Sequence, residues 1–113
     1  GSDEERGEKI MGSPMYMAPE QLDINAKLSP QTDIYALGVL LHQMVTGDTP
    51  YSKKSTQEEL FNSIKNKPLK RITDVYPFAD NRLQFIIDKA TKKYPHNRYK
   101  DCNEFLAALE EIN

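Results

Sequence analysis

The segment from Ser29 to Gly47, SPQTDIYALGVLLHQMVTG, most constrains how this chain can fold. Ser29 followed by Pro30 is a helix-start signal, and Gly47 is a left-handed stop with Pro50 shortly beyond it. Between these signals, the run IYALGVLL carries no charge on any face of a helix. It is far shorter than the roughly 20 apolar residues that span a bilayer. We therefore predict a buried central helix on which the other elements pack.

Two residues of this segment do not fit a simple packing helix. Asp33 lies in the first turn, where it serves either as a favourable charge at the helix N-terminus or as a buried acceptor for N–H groups of a neighbouring loop. Gly38 lies in the middle of the helix, where it costs about 1 kcal/mol relative to alanine. A close approach by another segment would justify that cost, so we predict one at Gly38.

Composition excludes several classes of protein. The chain has 113 residues, enough for a single domain, and its net charge of −2 gives no basic field for nucleic acid. One cysteine, Cys102, excludes an internal disulfide framework and is typical of a reducing compartment. We interpret Cys102 and His42 as packing residues, because the chain offers no spacing of histidines and cysteines that would hold a metal. We expect no membrane-spanning segment.

The remaining segments predict an all-α fold with about four main helices. Residues 1–11 are interpreted as a tag remnant (Gly1-Ser2) and a charged mobile segment, and residues 12–113 as the folded domain. A short helix is predicted to open at Pro19, and the next long helix is predicted after a cap at Ser55 or Thr56. Two more are predicted, from Asn81 to Lys93 and from about Asp101 onward, where Asp101 and Glu104 form a capping pair. Tyr94 to Tyr99 is predicted to be a non-periodic connector.

Four motifs, in this order, resemble the C-terminal lobe of a serine/threonine protein kinase. They are GSPMYMAPE at 12–20, DIYALG at 33–38, GDTPY at 47–51 and YPHNRY at 94–99. In the family, these mark the end of the activation segment, the start of the central helix, the loop after it, and the arginine motif between the last two helices. The residues before Ala-Pro-Glu resemble the serine/threonine branch rather than the tyrosine kinases.

The resemblance implies roles for individual residues. Glu20 would pair with Arg98, and Asp33 would hydrogen-bond the backbone of the catalytic loop. The substrate-binding loop, which receives the residue after the phosphoacceptor, would consist of Gly12, Ser13, Pro14, Met15 and Tyr16.

The departures from the family pattern concern the catalytic residues. Phosphoryl transfer uses a phosphate-covering glycine loop, a lysine and metal-holding carboxylates. The sequence contains no Gly-x-Gly-x-x-Gly, Val-Ala-Ile-Lys, His-Arg-Asp or Asp-Phe-Gly. We therefore expect a fragment that lacks the N-terminal lobe and the catalytic loop and that needs no cofactor itself. Its parent is expected to be a cytoplasmic kinase that uses ATP and Mg²⁺ to phosphorylate protein substrates. The alternative is the C-lobe of a pseudokinase that acts as a docking module.

The same resemblance predicts an exposed apolar surface. In the family, the catalytic loop and a preceding helix cover part of the central helix. We therefore expect some of its apolar residues to lose cover and to drive self-association, either directly or by exchange of the N-terminal segment between copies. The residues concerned are Ile34, Leu37, Leu40, Leu41 and Met44.

Overall fold

The structure is a computed structural model that describes residues 14–52 and 55–112. Its five α-helices are α1 (Pro30–Thr46), α2 (Gln57–Asn66), α3 (Ile72–Val75), α4 (Asn81–Ala90) and α5 (Cys102–Glu110). Single 3₁₀ turns lie at Pro14–Tyr16, Pro19–Leu22 and Pro95–Asn97. No strand is present in the described ranges. The predicted all-α class is therefore confirmed, with the short α3 as an element that sequence periodicity missed.

Helix α1 begins and ends where its sequence signals predict. Ser29 is the extended N-cap residue, Pro30 opens the first turn, and Gly47 ends the helix at φ 68°. The Gly47 N–H donates to the Gln43 carbonyl at 2.7 Å. The cap itself differs from the expected one: the Ser29 hydroxyl does not accept the capping bond, and the Ser29 N–H instead donates to Thr32 Oγ1 at 3.2 Å.

The predicted close approach at Gly38 is confirmed. A methyl group added at Gly38 would lie 2.7 Å from Thr91 Cγ2 and 2.8 Å from Ala90 Cβ. These distances are shorter than real contacts allow, so glycine is what lets the end of α4 lie directly against α1. Helix α4 is accordingly the main packing partner of α1.

Two clusters of buried side chains form the core, one on each side of α1. Tyr35 and Val39 pack in the first cluster, whose other members come mainly from α2, α3 and α4. Ile34 packs in the second, with α4 and α5. Both Ile34 and Tyr35 are fully buried. This confirms that α1 is the central helix.

The remaining helix ends follow local hydrogen-bonding rules. Of the two predicted caps for α2, Thr56 is the one used, and its Oγ1 accepts the Glu59 N–H at 3.1 Å. Asp101 caps α5 by accepting the Glu104 N–H at 3.0 Å. Helix α4 ends at Ala90, earlier than the predicted Lys93.

The outer face of α1 and Cys102 are both exposed to solvent. On the outer face of α1, Leu40 is 43 % exposed and Met44 is 74 % exposed, so the predicted loss of cover falls there and not at buried Ile34. The prediction that Cys102 packs in the core was wrong. Cys102 is exposed at the first position of α5, one residue after the cap and before the first buried residue of the helix, Phe105.

Candidate functional site

The first part of the site is the turn at Pro14–Tyr16. Gly12 and Ser13 of the predicted substrate-binding loop lie outside the described residues. Within the turn, the Met17 N–H donates to the Pro14 carbonyl at 3.1 Å, which closes the chain into a 3₁₀ conformation. The Tyr16 hydroxyl donates to Gln43 Oε1 on α1. The turn is thereby attached directly to the central helix.

A cavity of about 260 Å³ lies between this turn, α1 and the following loop. Its walls include Met15 and Tyr16 from the turn, Gln43 from α1, Pro50 from the loop, and Leu60 from α2. Most of these groups are apolar, and the Tyr16 hydroxyl is already engaged as a donor to the side-chain oxygen of Gln43. The cavity therefore suits an apolar side chain more than a charged one.

The second part of the site is an ion pair between residues 78 positions apart in the chain. Arg98 Nη1 donates to Glu20 Oε2 at 2.7 Å, and Arg98 Nη2 donates to Glu20 Oε1 at 2.8 Å. The Arg98 side chain is 0 % exposed and that of Glu20 is 10 % exposed. The two residues that the resemblance pairs are thus brought together by two parallel hydrogen bonds, a geometry that lysine cannot reproduce.

Arg98 also binds three backbone carbonyls. Its Nε donates to Lys92 O at 2.7 Å, Nη1 to Gln31 O at 2.9 Å, and Nη2 to Lys93 O at 3.2 Å. The guanidinium therefore joins the start of α1 to the chain that leaves α4. Lys92 O and Lys93 O, which lie beyond the end of α4 at Ala90, thus have Arg98 as a hydrogen-bond donor. Removing one partner of such a buried pair costs about 3–5 kcal/mol, since it leaves an uncompensated charge.

Glu20 is further held by Thr32, whose hydroxyl donates to Glu20 Oε2 at 2.8 Å. Burial acts to raise the pKa of Glu20, but the hydrogen bonds from Arg98 and Thr32 outweigh it and hold the pKa below its usual value near 4.5. A carboxylate with a depressed pKa in the folded state contributes stability above its unfolded pKa. That contribution is lost as the pH falls below about 4.5.

A second polar cluster, formed by Tyr35, Tyr51 and Lys93, adjoins the ion pair and was missed by the sequence reasoning. Lys93 Nζ donates to both tyrosine hydroxyls at 3.2 Å, and the hydroxyls lie 3.3 Å apart. Burial raises the pKa of each tyrosine. The Arg98 guanidinium lies 4.9 Å from the centre of the Tyr35 ring. The only sequence signal was a tyrosine within the apolar run of α1, which needs a partner for its hydroxyl when buried.

Asp33, the predicted anchor of a catalytic loop, is exposed in the first turn of α1. That position suits a negative charge at a helix N-terminus. Its role as an anchor stays a prediction. Across the described ranges, no group of three or more His, Cys, Asp or Glu side chains could hold a metal ion.

A family model, the protein kinase domain, matches residues 2–111. The chain belongs to the protein kinase family. Its all-helical architecture is that of the helical subdomain of the kinase C-terminal lobe.

Curated relatives agree with this membership. The chain is 37% identical over 105 residues to a "Probable serine/threonine-protein kinase" of Clostridium perfringens, covering 91% of this chain and 15% of that protein. It is 34% identical over 101 residues to the serine/threonine-protein kinase Pkn1 of Myxococcus xanthus, covering 89% and 14%. It is also 33% identical over 98 residues to Histidine protein kinase 1 of Candida albicans, covering 86% and 4%. The kinase chain described here therefore spans about a seventh or less of the length of these relatives.

Two kinase motifs, Ala-Pro-Glu and the arginine motif, contribute the two halves of the buried ion pair. None of the described helices is both long enough and apolar enough to cross a membrane.

Proposed function

We propose that this chain is the part of a serine/threonine protein kinase that holds the protein substrate. The parent transfers the γ-phosphate of ATP to serine or threonine. The observation that carries the proposal is the apolar cavity beside the Pro14–Tyr16 turn, in the segment that resembles the substrate-binding loop. ATP and Mg²⁺ are assigned to the parent, because the glycine loop and the catalytic motifs are absent from this sequence. We place the parent in the cytoplasm, in keeping with the single cysteine.

The mechanical basis of the proposal is the attachment of the turn at two points. Tyr16 binds Gln43 of α1, and Glu20, just beyond the turn, binds the buried Arg98. A loop fixed at both points presents a preformed surface, which lowers the entropy cost of binding an extended peptide. The expected ligand is a peptide in which a serine is followed by an apolar residue that enters the cavity.

Methyl NMR of the full 113-residue chain tests this proposal. The chain has four methionines, of which Met15 lines the cavity and Met44 lies on the outer face of α1. Titration with a serine peptide that has leucine after the serine should shift the Met15 methyl signal saturably and leave the Met44 signal in place. The matched control peptide has aspartate in place of the leucine and should bind at least about 10-fold more weakly, which corresponds to about 1.4 kcal/mol. Equal shifts with both peptides, or no saturable shift at Met15, would contradict the proposal.

We further propose that the isolated chain self-associates through the outer face of α1. The exposed side chains of Leu40 and Met44 support this proposal, because apolar surface gains about 25 cal/mol per Å² when it is removed from water. The alternative route, exchange of the N-terminal segment, concerns residues outside the described ranges. The variant Met44→Gln separates the two routes, because it changes only the outer face of α1.

A further inference from the structure

Lys93 has an unusual environment for a lysine. It follows α4 and is half-buried, and its Nζ lies 3.2 Å from each of the hydroxyls of Tyr35 and Tyr51. The ion pairs between described residues do not include it. Lysines removed from water are usually paired with a carboxylate. Lys93 instead has neutral hydroxyl partners, which compensate its charge much less.

A second cation lies against this cluster. Arg98 lies against the Tyr35 ring, whose centre is 5.6 Å from Lys93 Nζ, and the carboxylate of Glu20 is already committed to Arg98. Burial, and then the positive charge of Arg98, lower the pKa of Lys93 to about 8. At pH 7.5 about a quarter of such amines are neutral, compared with about one in a thousand for an ordinary lysine.

Lys93 also faces a cavity of about 330 Å³. Arg71 and Lys92 line the same cavity, and Asp88, which pairs with Arg71 at 3.0 Å, is the carboxylate among its lining residues. The cations exceed the carboxylates, so the cavity attracts a small anion. The volume is ample for a reagent of a few heavy atoms. Lys93, whose amine is partly neutral near pH 7.5, and two other cationic residues thus line one cavity.

We propose that Lys93 is an acylation site that reacts directly with small acyl phosphates. The neutral amine attacks the acyl carbon, and the C–N bond of an amide forms. The C–O bond to phosphate breaks, and phosphate leaves with that electron pair. The surplus amine proton passes to water. The cations of Arg71 and Lys92 attract the dianionic phosphate, and the step requires no other reactant.

Acylation would change the cluster that holds Lys93. An amide nitrogen has one N–H and no charge, so it cannot donate to both Tyr35 and Tyr51. Tyr51 follows Pro50, a wall residue of the cavity beside the Pro14–Tyr16 turn. The modification would therefore loosen a wall of that cavity, although the reaction at Lys93 does not depend on what the cavity binds.

The experiment is a time course of the full chain with acetyl phosphate, in which mass spectrometry measures the acetylation rate of every lysine. At pH 7.5, Lys93 should react at least about 10-fold faster than Lys92. The neutral fraction alone favours Lys93 by about 250-fold, and the lower nucleophilicity of a weaker base offsets part of this advantage. Lys92 is the matched control, because it is adjacent in sequence, exposed, and lines the same cavity. Equal rates at the two lysines would overturn the proposal.

Two additional measurements distinguish activation of Lys93 by the fold from ordinary lysine reactivity. The rate at Lys93 should level off above about pH 8, whereas an ordinary lysine continues to gain about 10-fold per pH unit through pH 9. In 8 M urea the advantage of Lys93 should disappear, because it depends on the folded cluster. An advantage that persists in urea, or a rate at Lys93 that rises with the ordinary slope, would show that the fold does not activate this lysine.

Discussion

The two faces of helix α1 are covered very differently. On the inner face, Ile34 and Tyr35 are fully buried, and Thr32 binds the Glu20–Arg98 pair. On the outer face, Leu40 and Met44 are exposed. The apolar run in the sequence does not distinguish these regions. The difference shows that an apolar side chain in this run does not by itself indicate burial, and that the covered face also holds a buried ion pair that its apolar pattern does not reveal.

The largest expected effect comes from removing the charge that is buried beside the covered face of α1. Arg98→Ala leaves the buried Glu20 carboxylate and three backbone carbonyls without their hydrogen-bond donor. It should therefore lower the free energy of unfolding by about 3–5 kcal/mol. The matched control is Arg71→Ala, because Arg71 pairs with Asp88 at 3.0 Å but is 55 % exposed. An exposed pair contributes about 0–1 kcal/mol. Urea unfolding of both variants measures the difference, and equal midpoints would mean that the Glu20–Arg98 pair is not buried.

The contact at Gly38 is expected to produce the next largest effect. Gly38→Ala gains about 1 kcal/mol of helix propensity, but the new methyl overlaps Ala90 and Thr91, and overpacking costs about 1–3 kcal/mol. We expect a net loss of up to about 2 kcal/mol on thermal unfolding. Adding Thr91→Ser removes Cγ2 and keeps the hydroxyl that binds Ile87 O at 2.7 Å. The double variant should recover part of the loss. A more stable Gly38→Ala would contradict the close packing of α4 on α1.

A smaller effect concerns pH and the buried His42, which lies on the same helix. Its Nε2 contacts Lys70 O at 2.6 Å, and its Nδ1 has no partner in the described ranges. Burial lowers the pKa of His42 below 6.5, so the unfolded chain binds more protons than the folded one near that pH. Stability should therefore fall as the pH drops from about 6.5 to 5.5, by at most about 1.4 kcal/mol. His42→Gln, which keeps a donor for Lys70 O, should flatten this slope, and an unchanged slope would exclude His42 as its source.

The smallest effect on stability is expected on the outer face of α1. Met44→Gln should change the free energy of unfolding by less than about 0.5 kcal/mol, because Met44 is 74 % exposed. It should nevertheless reduce self-association in sedimentation velocity experiments. Phe85→Gln is the control, since Phe85 is 66 % exposed on α4 and outside this face. Association that persists unchanged in Met44→Gln would favour exchange of the N-terminal segment, and a monomeric wild type at high concentration would exclude both routes.

Much of the fold was predictable because it depends on local signals. The bounds of α1, the caps at Thr56 and Asp101, and the close approach at Gly38 each follow from a few adjacent residues. The early end of α4 was not predictable from local signals, because Lys92 and Lys93 are compatible with a continuing helix. The short α3 has too few residues for a periodic signal, although the Ile72 N–H is held by Gln84 of α4 at 2.8 Å.

Only the part of the candidate site that contains kinase motifs was predictable from the sequence. The kinase resemblance pairs Glu20 with Arg98, which residue spacing alone could not do across the chain. It gives no information about Lys93, whose surroundings come from residues 35, 51 and 98 brought together by the fold. Cys102 was misplaced because a lone cysteine is buried in most proteins, whereas here it opens a helix on the solvent side.

Hydrogen exchange of the Ala18–Asp23 backbone tests most directly whether Arg98 anchors the segment beside the candidate cavity. The Gln21 and Asp23 N–H groups are bonded to Ala18 O and Glu20 O at 3.0 and 3.1 Å. In the wild type both amides should be protected. In Arg98→Lys, which keeps the charge but loses the two parallel bonds, both should exchange at least about 10-fold faster, while the Thr91 amide at the end of α4 changes less. Amides that exchange freely in the wild type, or equally in both proteins, would contradict the anchoring of this segment by Arg98.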